Sequence, residues 1–152
     1  MLKQLKTRPH ETVYVVDYLC ERNLLCDDKV SEALSNRLRS RKAPEYQKYL
    51  IVRKLQRTEA AIPNCLLDAT RHLITQYPSS LLLPWIVALL GTKGGTQADI
   101  DSIDRIHGYS TDHLMRATCI WALRERPRVS ISGLLGRSKG ESIWMDGAFH
   151  MR

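Results

Sequence analysis

The sequence predicts an all-α fold in which about seven amphipathic helices stack as helical hairpins in a solenoid. Apolar residues recur at helical spacing along most of the chain, and a proline or a capping side chain precedes most of the helical segments. The helix starts near Pro44, Ser80 and Ser110 lie 36 and then 30 residues apart, a spacing typical of repeated helical hairpins. A non-repetitive bundle of about seven helices would produce the same pattern, so the sequence leaves both arrangements open.

The first two helices are predicted from apolar spacing and from a capping signal. Residues 11–23 carry apolar side chains at i, i+3, i+6 and i+7, which places them on one buried stripe. Asp27 and Asp28 then occupy the N-cap region of a second helix, and this helix should end in the basic stretch 39–42. The expected inward faces are Val13, Val16, Leu19 and Cys20 in the first helix and Val30, Ala33, Leu34 and Leu38 in the second.

Prolines open the next two helices. Pro44 fits the first turn of a third helix and Pro63 that of a fourth, since the missing N–H has no intrahelical partner there. The fourth helix should close at Tyr77–Pro78, because the residue before a proline is pushed out of the helical region. The third helix has two apolar faces, one with Ile51, Val52 and Leu55 and the other with Tyr46, Tyr49 and Leu50, and the fourth faces Leu66, Leu67, Leu73 and Ile74 inward.

Three further helices complete the predicted domain. Residues 81–90, capped by Ser79 or Ser80, are apolar on nearly every side and should be the most buried segment, with Gly91 as a left-handed terminator. A more polar helix follows and is ended by Gly108. Ser110 or Thr111 caps the seventh helix, and Pro127 follows its end. The inward residues are expected to be Ile100, Ile103 and Ile106, then Leu114, Ala117, Thr118 and Trp121.

The chain divides by composition into a helical-repeat domain over residues 1–128 and a glycine-rich tail over residues 129–152. Helical periodicity fades in the tail, yet apolar residues gather at its end. Such a segment can fold back over an open solenoid edge, dock on a partner, or stay disordered. The clustered residues are Ile143, Trp144, Met145, Phe149 and Met151.

The net charge bears on the partner rather than on the fold. The 152 residues suit one domain, and the chain carries a formal charge of +7 with a pI near 9.4. This excess favours an anionic partner, of which nucleic acid is the commonest, although a basic protein without such a partner is the alternative. Neither a secretory signal nor a membrane span is expected, and the cysteines form no CxxC pair, so we expect reduced thiols and a cytoplasmic protein.

The strongest functional lead is a basic stretch over residues 37–57, which holds eight Lys or Arg residues and a single acid, Glu45. Clusters of this kind hold phosphates through charge and counterion release, without reading base sequence. The alternative is a solvated outer face with no ligand. The candidate nucleic-acid-binding residues are Arg37, Arg39, Arg41, Lys42, Lys48, Arg53, Lys54 and Arg57.

Aromatic residues accompany these cations on the third predicted helix. Arg53 and Arg57 stand i, i+4 on the face that also carries Tyr46, Tyr49 and Leu50. Tyrosines beside cations can stack on unpaired bases, so the pattern also suits a single-stranded ligand. In the alternative interpretation, the tyrosines pack against a neighbouring helix.

No catalytic, metal or cofactor site is predicted. Asp99, Asp101 and Asp104 are expected to stabilise a helix dipole, and the five histidines form no HxxxH or HExxH array. Cys119 lies in an apolar helix where a thiol should be inert. No serine lies in a GxSxG turn, and the loop 91–95 lacks the Gly-Lys-Ser/Thr ending of a phosphate loop.

Two segments carry a resemblance to HEAT-type repeats. Residues 110–123, STDHLMRATCIWAL, resemble one helix of such a repeat, with a short polar turn and then an arginine followed by small and apolar residues; residues 49–55, YLIVRKL, are similar. The chain from Pro9 to Pro127 also resembles the helical C-terminal extensions of some bacterial reverse transcriptases, including those linked to phage defence. The residues that suggest it are TVYVVDYL at 12–19 and PWIVALL at 84–90.

The resemblance implies a right-handed, HEAT-like solenoid that binds rather than catalyses. A polymerase core is not expected, because the only adjacent aspartates, Asp27 and Asp28, introduce a helical pattern. We therefore expect a non-catalytic binding module, an accessory domain of a reverse-transcriptase-type assembly, whose partner is a nucleic acid or a protein. The alternatives are a pure protein-interaction scaffold and a small enzyme whose site is assembled from scattered residues.

Overall fold

The computed structural model describes residues 1–76 and 78–125, and this part of the chain is all-helical, as predicted. The described residues form two compact units, one over residues 1–86 and one that begins at Val87. None of the described helices combines the length and the apolarity needed to cross a membrane. The helices are α1 (Leu2–Thr7), α2 (Thr12–Glu21), α3 (Asp28–Arg39), α4 (Glu45–Arg57), α5 (Asn64–Ile74), α6 (Leu83–Leu89), α7 (Gln97–Tyr109) and α8 (His113–Arg124), with a 3-10 turn at Pro9–Glu11 and a π-helical segment at Leu90–Gly94.

Local signals set most of the helix starts. The Asp27 carboxylate accepts hydrogen bonds from the backbone N–H groups of Lys29 and Val30, at 3.0 and 3.2 Å, and so caps α3. Pro44 and Pro63 both stand one residue ahead of their helices in extended conformation. Both prolines were predicted in the first turn of their helices; the N-cap position suits them equally well, because it also needs no intrahelical N–H donor.

In the first unit, the most extensive helix contacts join second neighbours along the chain. The α2 helix packs against α4 and α3 packs against α5, while smaller contacts join α1 to α2 and α3, and α3 to α4. Fully buried aliphatic residues from these helices form the core. These residues include Leu5, Val16, Leu34, Leu38, Ile51, Val52, Leu55, Leu66 and Leu73.

A buried polar network ties α1, α2, α3 and α4 together. The side chain of Gln47 is completely buried, and its amide nitrogen donates to the backbone carbonyl of Leu5 and to the hydroxyl of Thr12, the latter at 2.9 Å. Its carbonyl oxygen accepts two hydrogen bonds from the Arg37 guanidinium, at 3.2 and 2.9 Å. Thr12, also fully buried, donates in turn to the Pro9 carbonyl at 2.6 Å. Each polar atom of the Gln47 side chain is therefore matched, as a buried amide requires.

In the second unit, the π-helical segment packs against α7 and α8. The predicted termination at Gly91 is wrong: Gly91 lies inside the π-helical segment, and the left-handed residue is Gly95, with φ 71°. The Gly95 N–H donates to the Leu90 carbonyl at 3.1 Å. The wider π turns extend the helix by four residues. The left-handed residue that ends it is therefore Gly95 rather than Gly91.

Other boundaries differ by a few residues. The α1 helix was not predicted, α5 ends at Ile74 rather than near Tyr77, and α7 continues one residue past Gly108. The cap of α8 is Asp112, whose carboxylate accepts from the Leu114 N–H at 2.9 Å, rather than Ser110 or Thr111. The tail at 129–152 and the position of Pro127 lie outside the described residues.

The inward face of α8 was predicted one residue out of phase. Leu114 was expected in the core but is 78% exposed, and Trp121 is only half-buried. The buried residues of α8 are instead Met115, Cys119, Ala122 and Leu123.

Candidate nucleic-acid interface

The eight basic residues of the predicted site lie at the end of α3, in the following loop and along α4. The structure places them in different environments. Arg39, Arg41, Lys42 and Arg57 are exposed, whereas Arg37, Arg53 and Lys54 are half-buried and Lys48 is buried. The sequence therefore located a basic region, but its members do not share one solvated face.

Two of the arginines are supported by aromatic rings. Tyr49, Arg53 and Arg57 follow one another at intervals of four residues on α4, where they meet Trp85 of α6. The Cζ atoms of Arg53 and Arg57 lie 5.7 and 5.2 Å from the centroid of the Trp85 ring. Arg53 also lies 5.9 Å from the Tyr49 ring, and the two rings meet edge to face at 6.2 Å. We call these four residues the arginine–tryptophan cluster.

The cluster holds two guanidinium groups against aromatic rings. Cation–π contacts within about 6 Å of a ring centroid are attractive, most strongly with tryptophan. The buried Nε of Arg53 has no hydrogen-bond partner in the described part of the chain. Arg57 is exposed at the end of α4. A guanidinium in this position can donate to phosphate oxygens in a bidentate manner while its flat face stays on the indole ring.

Two other members of the predicted site are engaged within the fold. Lys54 Nζ lies 2.7 Å from the Asp17 carboxylate of α2, and this hydrogen bond raises the pKa of Lys54. Arg37 donates to Gln47 in the buried network described above. Both cations contribute to the local electrostatic potential, but some of their hydrogen-bond donors already bind other residues of the protein.

Lys48 is the least accessible of the predicted residues, with 7% of its surface exposed. Its ammonium lies 3.4 Å from the side-chain oxygen of Gln76. Burial lowers the pKa of Lys48, an effect that Glu45 opposes and Arg37 reinforces. This lysine therefore lines a pocket rather than an open surface.

The two tyrosines of α4 differ in availability. Tyr46 is 48% exposed, so its ring can meet a ligand, whereas Tyr49 packs against Trp85. For Tyr49 the structure agrees with packing against a neighbouring helix, one of the two alternatives that the sequence left open. Trp85 is the member of the cluster that was not predicted as part of the site. The available signal was a single aromatic in the otherwise aliphatic stretch 81–90.

Comparison with known proteins adds no homologue. No protein-family model, no curated protein and no solved structure matches this chain.

The remaining candidate residues have structural surroundings. Asp99 and Thr96 form a reciprocal capping box at the start of α7, with both hydrogen bonds at 3.2 Å, and Asp101 accepts from Gln97 at 2.9 Å. Burial raises the pKa of the Cys119 thiol to about 12, which keeps the thiol protonated and unreactive at neutral pH. Within residues 1–76 and 78–125, no group of three or more His, Cys, Asp or Glu side chains is arranged to hold a metal ion.

Proposed function

We propose that this protein is a non-catalytic helical-repeat module that binds nucleic acid through the exposed cations of residues 37–57. The observation that carries the proposal is the arginine–tryptophan cluster, in which two guanidinium groups are held against one indole ring and one of the two arginines, Arg57, is exposed. Arginines presented in this way suit phosphate recognition. The net charge of +7 adds a long-range attraction for a polyanion.

The interface comprises the cluster and the nearby basic loop. Arg39, Arg41 and Lys42 are exposed, and Arg57 closes α4 with its side chain in solvent. Tyr46, also exposed on α4, supplies a ring on which an unpaired base can stack. An interface with few base-edge donors and several phosphate contacts binds with little sequence preference.

The helical-repeat interpretation rests on how the first unit packs. Alternation of neighbours, α2 on α4 and α3 on α5, is what two layers of stacked hairpins would give. With the resemblance of residues 49–55 and 110–123 to HEAT helices, this packing supports a HEAT-like arrangement. The resemblance to reverse-transcriptase extensions makes a polymerase-type assembly, of the kind linked to phage defence, the first partner to test in a cytoplasmic setting.

Fluorescence anisotropy with labelled single- and double-stranded DNA and RNA, titrated across salt concentrations, tests the proposal. Arg53→Glu/Arg57→Glu should abolish binding at moderate salt and reduce the salt slope of the duplex DNA affinity by about 2, because two phosphate contacts are lost. Lys3→Glu/Lys6→Glu, which reverses two exposed cations of α1, is the matched control and should retain most of the affinity. Absence of binding by the unmodified protein at low salt would overturn the proposal.

A protein-interaction scaffold is the second candidate, and the second unit supplies the observation that favours it. Tyr109 and Leu114 are 64% and 78% exposed and lie five residues apart around the turn that joins α7 to α8. Exposed apolar patches mark protein-binding surfaces, and both of these side chains could contribute to one. Replacement of both by serine should leave nucleic-acid affinity unchanged and abolish co-purification of a protein partner.

A further inference from the structure

The first unit contains a small polar pocket at the start of α4. Its volume is roughly 190 Å³, and its polar walls come from Arg41, Glu45, Lys48 and Gln76. At about 30 Å³ for each water molecule, the pocket would hold about six waters. It is therefore large enough for a tetrahedral oxyanion and smaller than the pockets of about 300–1,000 Å³ that take drug-sized ligands.

The buried wall of the pocket carries a positive charge that the fold compensates only in part. Lys48 is buried, and its hydrogen bond to the neutral Gln76 amide is long, at 3.4 Å. Glu45, a carboxylate that lines the pocket, accepts a hydrogen bond from the Ser79 N–H at 3.0 Å, so one of its oxygens is engaged on the loop. Arg41 adds a second cation from the loop before α4, and two cations thus face one carboxylate.

The backbone adds to this positive potential. The α4 helix has 13 residues and begins behind Pro44, which offers no side-chain cap to the first N–H groups. The helix N-terminus therefore adds partial positive charge beside Lys48, which the Glu45 carboxylate in the first turn offsets in part. Three sources of positive potential therefore meet at the pocket. They are a lysine in the first turn of α4, an arginine in the preceding loop and the uncapped start of the helix.

We propose that this pocket binds a phosphate group, held by Arg41, Lys48 and the N-terminal turn of α4. The phosphate would bridge the two side chains, offset the burial of the ammonium and accept from the helix start. The pocket is too small for a whole nucleotide, so the rest of a phosphate ester would lie outside it. The inference goes beyond the proposed function, since the phosphate can come from a nucleic acid or from free phosphate.

The test uses inorganic phosphate at constant ionic strength, with binding followed through the backbone amide signals of residues 41–43 and 45–48 in two-dimensional NMR spectra. We expect saturable shifts that centre on Glu45 and Tyr46. Arg41→Gln should weaken phosphate binding by about tenfold or more, as loss of one charge-assisted hydrogen bond implies. Lys48→Met, which keeps the length of the side chain and removes its charge, should do the same.

Lys29→Gln is the matched control, because Lys29 is an exposed cation of α3 that does not line the pocket. It should keep the phosphate affinity of the unmodified protein. Equal weakening by Lys29→Gln and Arg41→Gln, or no saturable shift in the unmodified protein, would overturn the proposal. Because inorganic phosphate is the probe, this result does not depend on whether the protein binds nucleic acid.

A second arm identifies the source of the phosphate. Oligonucleotides with a 5′-phosphate and with a 5′-hydroxyl are compared on the unmodified protein and on Arg41→Gln. A preference for the 5′-phosphate that disappears in the variant assigns the pocket to a nucleic-acid end. Saturable phosphate binding without such a preference assigns it to free phosphate or a small phosphate ester.

Discussion

Gly91 lies directly against the backbone of Ala122. A Cβ atom added at Gly91 would stand 2.5 Å from the Cβ of Ala122 and 2.7 Å from its carbonyl oxygen, distances that real Cβ atoms essentially never show. The π-helical segment and α8 thus pack together through bare backbone at this point. The glycine at this position is required by space, and not by a left-handed conformation.

Gly91→Ala should therefore lower the free energy of unfolding, by about 1–3 kcal/mol, because α8 must shift to admit the methyl group. Gly108→Ala is the matched control: the helical Gly108 of α7 has nothing within 4 Å of an added Cβ. That substitution should raise stability by about 0.5–1 kcal/mol, since alanine restricts the unfolded chain. Urea denaturation compares the two variants, and equal stability of both would contradict the packing described for Gly91.

Removal of the buried amide of Gln47 should also destabilise the protein. Gln47→Met keeps the size of the side chain but leaves Arg37, Thr12 and the Leu5 carbonyl without their partner. We expect a loss of about 2–4 kcal/mol in the free energy of unfolding, because buried groups are left unsatisfied. Gln56→Met, at a half-buried position of the same helix, is the control and should change stability by less than about 0.5 kcal/mol.

Stability should depend on pH through Cys119 in the alkaline range. Burial raises the pKa of this thiol from its ordinary value near 9 to about 12, with a smaller contribution from Asp104 in the same direction. The unfolded chain loses the proton first, so the contribution of Cys119 is full below pH 9 and declines as the pH rises toward 12. At pH 10 the decline is on the order of 1 kcal/mol.

Cys119→Ala isolates this effect. The variant starts from a lower stability at pH 8, since a buried sulfur is lost, but its free energy of unfolding should fall less steeply between pH 8 and pH 10. Parallel curves for the two proteins, measured by urea denaturation at each pH, would show that the thiol is not held protonated by the fold.

Release of Lys54 from Asp17 should strengthen nucleic-acid binding. Asp17→Asn removes the carboxylate that lies 2.7 Å from the Lys54 ammonium and frees this cation of α4 for a phosphate. Under the proposed function, we expect the salt slope of duplex DNA binding to steepen by about 1. Asp68→Asn makes the same change in net charge at the Asp68–Arg71 pair of α5 and should leave the slope unaltered. Anisotropy titrations that show the same slope for both variants would exclude Lys54 from the interface.

The helical class, and several helix starts, could be predicted from sequence because the responsible residues are adjacent along the chain. Asp27 caps the helix that follows it within three residues, and Pro44 and Pro63 act on the next turn. Which residues of α8 face the core was harder to predict from the sequence. Leu114 and Met115 are both apolar, and which of them faces inward depends on the helices packed against α8, beyond the reach of local periodicity.

The position of the candidate site could be predicted from the sequence, but the role of each of its residues could not. The basic stretch 37–57 was visible as charge, but the state of each cation is set by residues far away in sequence. Asp17 engages Lys54, and Gln76 meets the buried ammonium of Lys48. The indole that supports Arg53 and Arg57 comes from Trp85, about 30 residues further on. Contacts of this kind follow from tertiary packing and leave no periodic signal in the sequence.

The stacking of Arg53 and Arg57 on Trp85 bears on the entropy of recognition. A free arginine side chain forfeits up to about 2 kcal/mol of rotamer freedom when a ligand immobilises it. Where a ring already confines the guanidinium, part of that loss occurs during folding instead. The two cations of α4 would then meet an anion in a preorganised state. Replacement of Trp85 by a smaller side chain would therefore weaken anion binding, although the substitution removes no charge.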